Sequence, residues 1–269
     1  MAVLRANGVG LYHEVRGSGP GVVLVHGSWV DADSWERVVP GLAEECTVVV
    51  YDRRGHGRSE EVLTQGSVHE DVADLAGLIE GLGLAPAFVG GTLYGAMVAL
   101  RLAAARPELV RGIAVHEPPA VGLLASDPGQ RQVADAAVAR VAPVRALLER
   151  GETAAAAELF VETVTFGPGA WSNLPAPLRH AYIRNAPTFL DELRDPDAYD
   201  LDLEALGDFT ETVLLTQGDD GGPEGTAVLD MIDLALPKAE RHVYGGGGRE
   251  PHVVEPAEFV RVVLPYALR

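Results

Sequence analysis

The run Phe88-Val89-Gly90-Gly91-Thr92-Leu93-Tyr94-Gly95-Ala96-Met97-Val98-Ala99-Leu100 decides the fold. Apolar residues enter a Gly-punctuated turn, and an Ala/Leu-rich segment with helical spacing continues it through Arg101-Leu102-Ala103-Ala104-Ala105. A short apolar run bounded by glycine reads as a buried strand, and the periodic segment after it reads as a helix. Strand, sharp turn and helix in that order carry the turn to the carboxyl edge of a sheet, where α/β folds bind their ligands. The centre of the turn is read as Thr92, with Tyr94 two residues beyond it.

Outward from this turn the chain repeats the same alternation. Two short strands, around Ala2 to Arg5 and Leu11 to Arg16, precede the Gly17-Ser18-Gly19-Pro20 turn. Val22-Val23-Leu24-Val25 then runs into His26-Gly27-Ser28-Trp29, and Thr47 to Tyr51 runs into Asp52-Arg53-Arg54-Gly55-His56-Gly57-Arg58-Ser59. Unbroken apolar runs of this kind suit strands covered on both faces of a parallel sheet. Val110 to Val115 delivers His116-Glu117-Pro118-Pro119, Glu211 to Gln217 delivers Gly218-Asp219-Asp220-Gly221, and Glu240 to Tyr244 enters Gly245-Gly246-Gly247-Gly248-Arg249-Glu250-Pro251-His252. Helices are predicted over Asp33 to Ala43, Val68 to Leu82, Gly225 to Leu236 and Pro256 to Leu268. Ser67 is the expected N-cap of the second, with Glu70 at the capping-box position. From Ala120 to about Leu206 the pattern is helices and loops, with helices over Arg131 to Arg150 and Glu152 to Val164 and another beginning at Asn185.

Together these segments resemble the α/β-hydrolase superfamily. The points of likeness are a strand–turn–helix elbow of the small-x-Ser-x-small type, a strand ending in His-Gly-x, the D-x-R-G-H-G-x-S segment, and a glycine-rich turn followed by Pro251-His252. The resemblance covers nearly the whole chain. It implies a mostly parallel eight-stranded sheet with helices on both faces. The core would be residues 1–119 and 207–269, and residues 120–206 a helical cap inserted after the sixth strand. It also implies an oxyanion hole from the backbone N–H groups of Ser28 and Leu93. His26, Trp29, Tyr94 and His252 are then the expected substrate contacts, and His56 a structural residue beside the elbow.

At three places the chain departs from the superfamily's nucleophile–acid–histidine pattern. Thr92 stands in place of the serine, and its β-branch suits a strained turn poorly. Gly221 stands where the acid is expected, with Asp219 and Asp220 just before it. Arg249 stands where the histidine is expected, and a guanidinium cannot take a proton at usable pH. An unactivated hydroxyl is a weak nucleophile, so ordinary serine-type hydrolysis is not expected.

Composition narrows the partners. The chain has 269 residues and a formal charge of −18, so nucleic acid and anionic membrane surfaces are not expected to bind it. The one cysteine, Cys46, lies in an apolar run and reads as a core thiol; no metal site and no cofactor are expected. Nothing at the start resembles a secretory signal and no segment reaches about 20 apolar residues, so a cytoplasmic protein is expected. The Arg, Ala and Gly bias resembles proteins of GC-rich bacteria.

Three functions fit these residues. The first is a non-hydrolytic enzyme of bacterial specialised metabolism. It would epimerise, isomerise, eliminate from or cyclise a carbonyl-containing small molecule or modified peptide held between core and cap. Arg249 would pair with an anionic oxygen, and Glu117, His116 or the substrate itself would move the proton. The epimerase of bottromycin biosynthesis, a superfamily member without the usual triad, is a precedent of strategy and not of residues. The second is an ester or amide hydrolase using Thr92 with a displaced base such as His252. The third is a non-catalytic ligand-binding relative.

Overall fold

Residues 2–219, 221–246 and 248–269 are described in the computed structural model. Among them, eight strands form one sheet. These are β1 (Ala2–Ala6), β2 (Val9–Arg16), β3 (Gly21–Val25), β4 (Thr47–Tyr51), β5 (Ala87–Thr92), β6 (Val110–His116), β7 (Thr212–Gly218) and β8 (Ala239–Tyr244). Their spatial order is β1-β2-β4-β3-β5-β6-β7-β8. β2 pairs antiparallel with β1 and β4, and every other neighbouring pair is parallel. The expected mostly parallel sheet is therefore present.

The strand sequences explain why both faces are covered. Successive side chains alternate between faces, so an unbroken apolar strand needs a hydrophobic layer on each side. Val23, Val25, Val49, Tyr51 and Val89 join one cluster with Leu75, Ile79, Met97, Leu100, Val228 and Ile232. Val22, Leu24, Val48, Val50 and Phe88 join the other with Trp35, Leu42, Phe259 and Val263. The first layer uses the helices Val68–Gly81, Tyr94–Ala105 and Gly222–Ala235, and the second uses Pro256–Ala267. Ser67 caps the first of these helices with a reciprocal capping box to Glu70.

Between β6 and β7 the chain is helical, with its longest elements at Arg131–Glu149 and Ala176–Arg194. Val144, Leu148, Ala157, Tyr182 and Phe189 of this insertion pack around Trp29, which follows β3. Leu123, Leu124, Ala198, Leu201 and Leu206 instead join the hydrophobic layer beneath the sheet. The insertion is thus anchored on the core at both ends and spans it through Trp29.

Two helix expectations need correction. Asp33 to Ala43 is not one helix but a 3-10 turn, Ala32–Trp35, and a single α-turn, Val39–Leu42. Pro40 has no N–H to continue a hydrogen-bond ladder and is tolerated only in a first turn, so the second piece starts afresh there. The helix expected to begin at Asn185 begins at Ala176 and contains Pro187. Its buried face, Tyr182, Asn185, Ala186 and Phe189, holds it through the proline.

Candidate active site

The carboxyl ends of β3, β5, β6 and β7 and the loop after β8 meet under the inserted helices around a cavity of about 370 Å³. The elbow after β5 supplies its floor. The residue in the strained conformation is Leu93, at φ 50° and ψ −119°, while Thr92 is the last residue of β5 and pairs with His116. Positive φ is uncommon for a residue with a side chain and persists only where the surroundings over-determine it. Here the surroundings are two glycines placed symmetrically about Leu93. A Cβ on Gly91 would lie 2.4 Å from the Gly95 carbonyl oxygen, and one on Gly95 would lie 2.2 Å from that of Val25. The elbow frame is therefore Gly91-Thr92-Leu93-Tyr94-Gly95, one residue later than the frame centred on Thr92. This corrects the sequence expectation: Thr92 does not line the cavity, and Leu93 does. Leucine has no nucleophilic atom.

The same shift moves the backbone donor. The Leu93 N–H donates to the His116 carbonyl at 2.9 Å, so it is not available to an oxyanion. Tyr94 is the residue after the elbow centre and the first of the helix Tyr94–Ala105, where an N–H has no intrahelical acceptor and the helix dipole is positive. Ser28 lines the cavity beside it. Tyr94 and Trp29 also line the cavity, the Tyr94 ring lying under the Arg53 guanidinium.

The expected histidines are elsewhere. His26 is fully buried, with Nδ1 at 2.7 Å from the Gly27 carbonyl and Nε2 accepting the Arg53 N–H at 2.9 Å, so it fastens β3 to the turn after β4. His116 sets Nδ1 against the Thr216 hydroxyl at 2.9 Å, and His252 packs its ring on Trp35 at 4.4 Å. None of the three lines the cavity, which removes His26 and His252 as substrate contacts and His116 and His252 as proton carriers. Burial holds each of them down at about 3, so they stay neutral at physiological pH. His56 bridges the Arg54 carbonyl and the Thr188 hydroxyl, both at 2.9 Å, as a structural residue would.

Arg249 and Glu117 do line the cavity. Gly221 has no side chain, and a Cβ built on it would lie 2.7 Å from Glu117 Oε1. A carboxylate from the end of β6 thus takes up the space that a side chain at Gly221 would need, and Glu117 Oε1 accepts the Gly218 N–H at 2.9 Å. Arg249 Nε stands 3.9 Å from Glu117 Oε2, and its Nη1 donates to the Val164 carbonyl at 2.9 Å. That carbonyl lies in a single π-helical turn, Val161–Thr165, at the end of an inserted helix, where carbonyls lack intrahelical donors. Arg249 carries five N–H donors and is one-quarter exposed, so it keeps donors for a ligand oxygen. Asp219 is exposed and accepts the Gly246 N–H at 3.1 Å; Asp220 lies outside the described residues.

Among the cavity residues that were not anticipated, one is an unusual carboxylate. Glu250 is 8% exposed and lines the cavity next to Arg249, and its carboxylate makes no hydrogen bond or ion pair among the described residues. Burial pushes it up to about 7, against the opposing pull of Arg249. A second buried carboxylate, Glu192 of the helix Ala176–Arg194, accepts Ser28 Oγ–H at 2.5 Å and Arg53 Nη2–H at 2.7 Å. It ties the insertion to the core and leaves the Ser28 hydroxyl committed. Most of the remaining wall is apolar or aromatic, including Phe160, Phe189, Val141 and Pro118.

Comparison with known proteins agrees with this architecture. The model of the Alpha/beta hydrolase family matches residues 22–262. An uncharacterised hydrolase, YraK, of Bacillus subtilis (strain 168) is 39% identical over 123 residues, 45% of either chain. The putative carbamate hydrolase RutD of Azorhizobium caulinodans is 32% identical over 105 residues, 39% of this chain and 40% of its own. The chain thus spans less than half the length of these curated relatives. An alpha/beta hydrolase structure from Sphaerobacter thermophilus matches with a TM-score of 0.77 at 24% identity, over 98% of this chain and 99% of that one. Among the described residues no helix is long and apolar enough to cross a membrane, and no group of His, Cys, Asp and Glu is arranged to hold a metal ion.

Proposed function

We propose that this chain, which belongs to the alpha/beta hydrolase family, is a cofactor-independent enzyme that does not hydrolyse its substrate but moves a proton next to a carbonyl group. The observation that carries the reading is leucine at the strained centre of the elbow. An acyl-enzyme needs a nucleophile there and a base at the position of Arg249, and neither side chain can serve. What remains suits an enolate. Arg249 supplies charge-assisted donors, the Tyr94 N–H is a backbone donor at a helix N-terminus, and the Ser28 N–H is one from the loop after β3. Donors of this kind lower the cost of negative charge developing on a carbonyl oxygen, and the apolar wall strengthens them by excluding water. The substrate is a small molecule or modified peptide bound between residues 120–206, acting as a cap, and the rest of the chain.

Hydrolase names among the partial relatives favour a competing reading, an ester or amide hydrolase. Thr92 with His252 cannot supply it, because neither lines the cavity. The test compares two signals. Incubation with p-nitrophenyl esters should give no burst above background, while carbonyl compounds with an acidic C–H in deuterated buffer should take up deuterium. A stoichiometric burst without deuterium uptake overturns the proposal.

A further inference from the structure

We propose that Glu250 is the general base and acid of this site, and that the substrate is a β,γ-unsaturated carbonyl compound of apolar body whose double bond it moves into conjugation. This rests on the proton-transfer reading above and deepens it. Three observations point the same way. Glu250 is a carboxylate more than nine-tenths buried, it lines the cavity, and it has no partner among the described residues. Buried carboxylates are ordinarily paired or hydrogen-bonded, and an unpaired one in a cavity wall is placed to receive a proton. Arg249, its neighbour in the chain, puts a cation at the same wall, where the charge of an enolate would fall.

The chemistry balances without a co-reactant. The Glu250 carboxylate takes a proton from the carbon between the carbonyl and the alkene. The C–H electron pair becomes a new π bond, and the negative charge passes to the carbonyl oxygen against Arg249 and the Tyr94 and Ser28 N–H groups. The same carboxyl returns the proton to the far alkene carbon, which shifts the double bond and restores the carboxylate. One carboxyl suffices because both carbons are reached from one face. Epimerisation needs a second donor on the opposite face. Glu117, the other buried carboxylate of the cavity wall, accepts the Gly218 N–H at 2.9 Å and holds the loop after β7.

Burial sets the working range. With Glu250 pushed up to about 7, the free carboxylate accumulates through neutral pH and is strong enough to take a carbon-bound proton. The charged and titratable groups that share its cavity are Arg249, Glu117, Tyr94, Tyr182, Tyr199, Arg140 with Glu224, and Arg145.

The experiment uses the full chain with two probes, an unconjugated cyclohexenone for isomerisation and β-tetralone for deuterium exchange, and β-naphthol as a planar enolate mimic for binding. Wild type should conjugate the enone and exchange β-tetralone, with a rate that rises with pH through about 7. Glu250→Gln should lose about 100-fold or more in both rates while binding β-naphthol within a few-fold of wild type, and Glu250→Ala should regain rate on adding acetate. If wild type is active and Glu250→Gln keeps its rate, Glu250 is not the base while the proton-transfer reading stands. If wild type binds β-naphthol but neither isomerises nor exchanges a probe, both fall.

Discussion

Two buried charged regions lie within this fold and are built on opposite principles. Under the turn after β4, every charge has a partner. Asp52 accepts the Ala32 N–H at 2.8 Å and pairs with Arg58, and Arg54 pairs with Asp74 and Glu70. Arg53, 1% exposed, pairs with Asp71 at 3.0 Å and Glu192 at 2.7 Å. In the cavity, Glu250 has no such partner among the described residues, and Arg249 sits 3.9 Å from Glu117. The first region keeps the superfamily's signature intact because each residue there satisfies another. The second carries Leu93 at the strained turn, Gly221 after β7 and Arg249 after β8, where the proposed reading has no nucleophile, acid or base.

The largest effect that would break this contrast is at Arg53. Arg53→Met leaves Asp71 and Glu192 buried without their cation, at a cost of about 3–5 kcal/mol. Burial already pushes both carboxyls up, so the loss should grow with pH in urea unfolding curves. A change within 1 kcal/mol, on the order of experimental error, would mean that the network contributes little.

Next in size is the pH dependence of Glu250. Its folded value is raised to about 7 from 4.5, so between those limits the folded state binds more protons than the unfolded chain. Its contribution to stability therefore falls as pH rises through that window. Glu250→Gln should remove this part and be more stable than wild type at alkaline pH by about 3 kcal/mol, with the gap closing toward acid pH. Parallel stability curves for the two proteins would show that Glu250 is paired after all.

A smaller effect is expected at Gly221. Restoring the missing acid as Gly221→Asp forces a Cβ to within 2.7 Å of Glu117 Oε1, so the carboxylate must move. A loss of about 1–3 kcal/mol in thermal unfolding is expected, with no gain of esterase activity. The least effect concerns function alone. Leu93→Ser puts a hydroxyl at the elbow centre, but with Arg249 at the base position it should show no burst on p-nitrophenyl esters.

Much of the fold was legible because buried parallel strands leave an apolar signature that needs no partner to be read. Val22 to Val25, Thr47 to Tyr51 and Val110 to Val115 are examples, and each of these three stands within a residue of where it was expected. The elbow was legible as an element but not in register. Gly90-Gly91-Thr92-Leu93-Tyr94-Gly95 admits two frames, and the hydroxyl of Thr92 favoured the wrong one. The signal against it was steric. The Thr92 frame puts Tyr94 where a close backbone approach demands a small residue, and the Leu93 frame puts Gly95 there. Arg249 and Gly221, singled out by their spacing from neighbouring glycines and Pro251, both line the cavity. His26, His116 and His252 were over-read, because histidine in a motif looks the same whether its ring faces a ligand or the core. Glu250 was missed for the converse reason. Nothing in a local pattern marks a carboxylate that tertiary packing will bury.

The central claim is that the elbow carries no nucleophile, and intact-protein mass spectrometry after treatment with an alkyl fluorophosphonate tests it most directly. The mass is expected to stay unchanged under conditions that fully label a serine hydrolase of the same fold. A single adduct that maps to the peptide containing Thr92 and Leu93 and is lost in Thr92→Ala would contradict it.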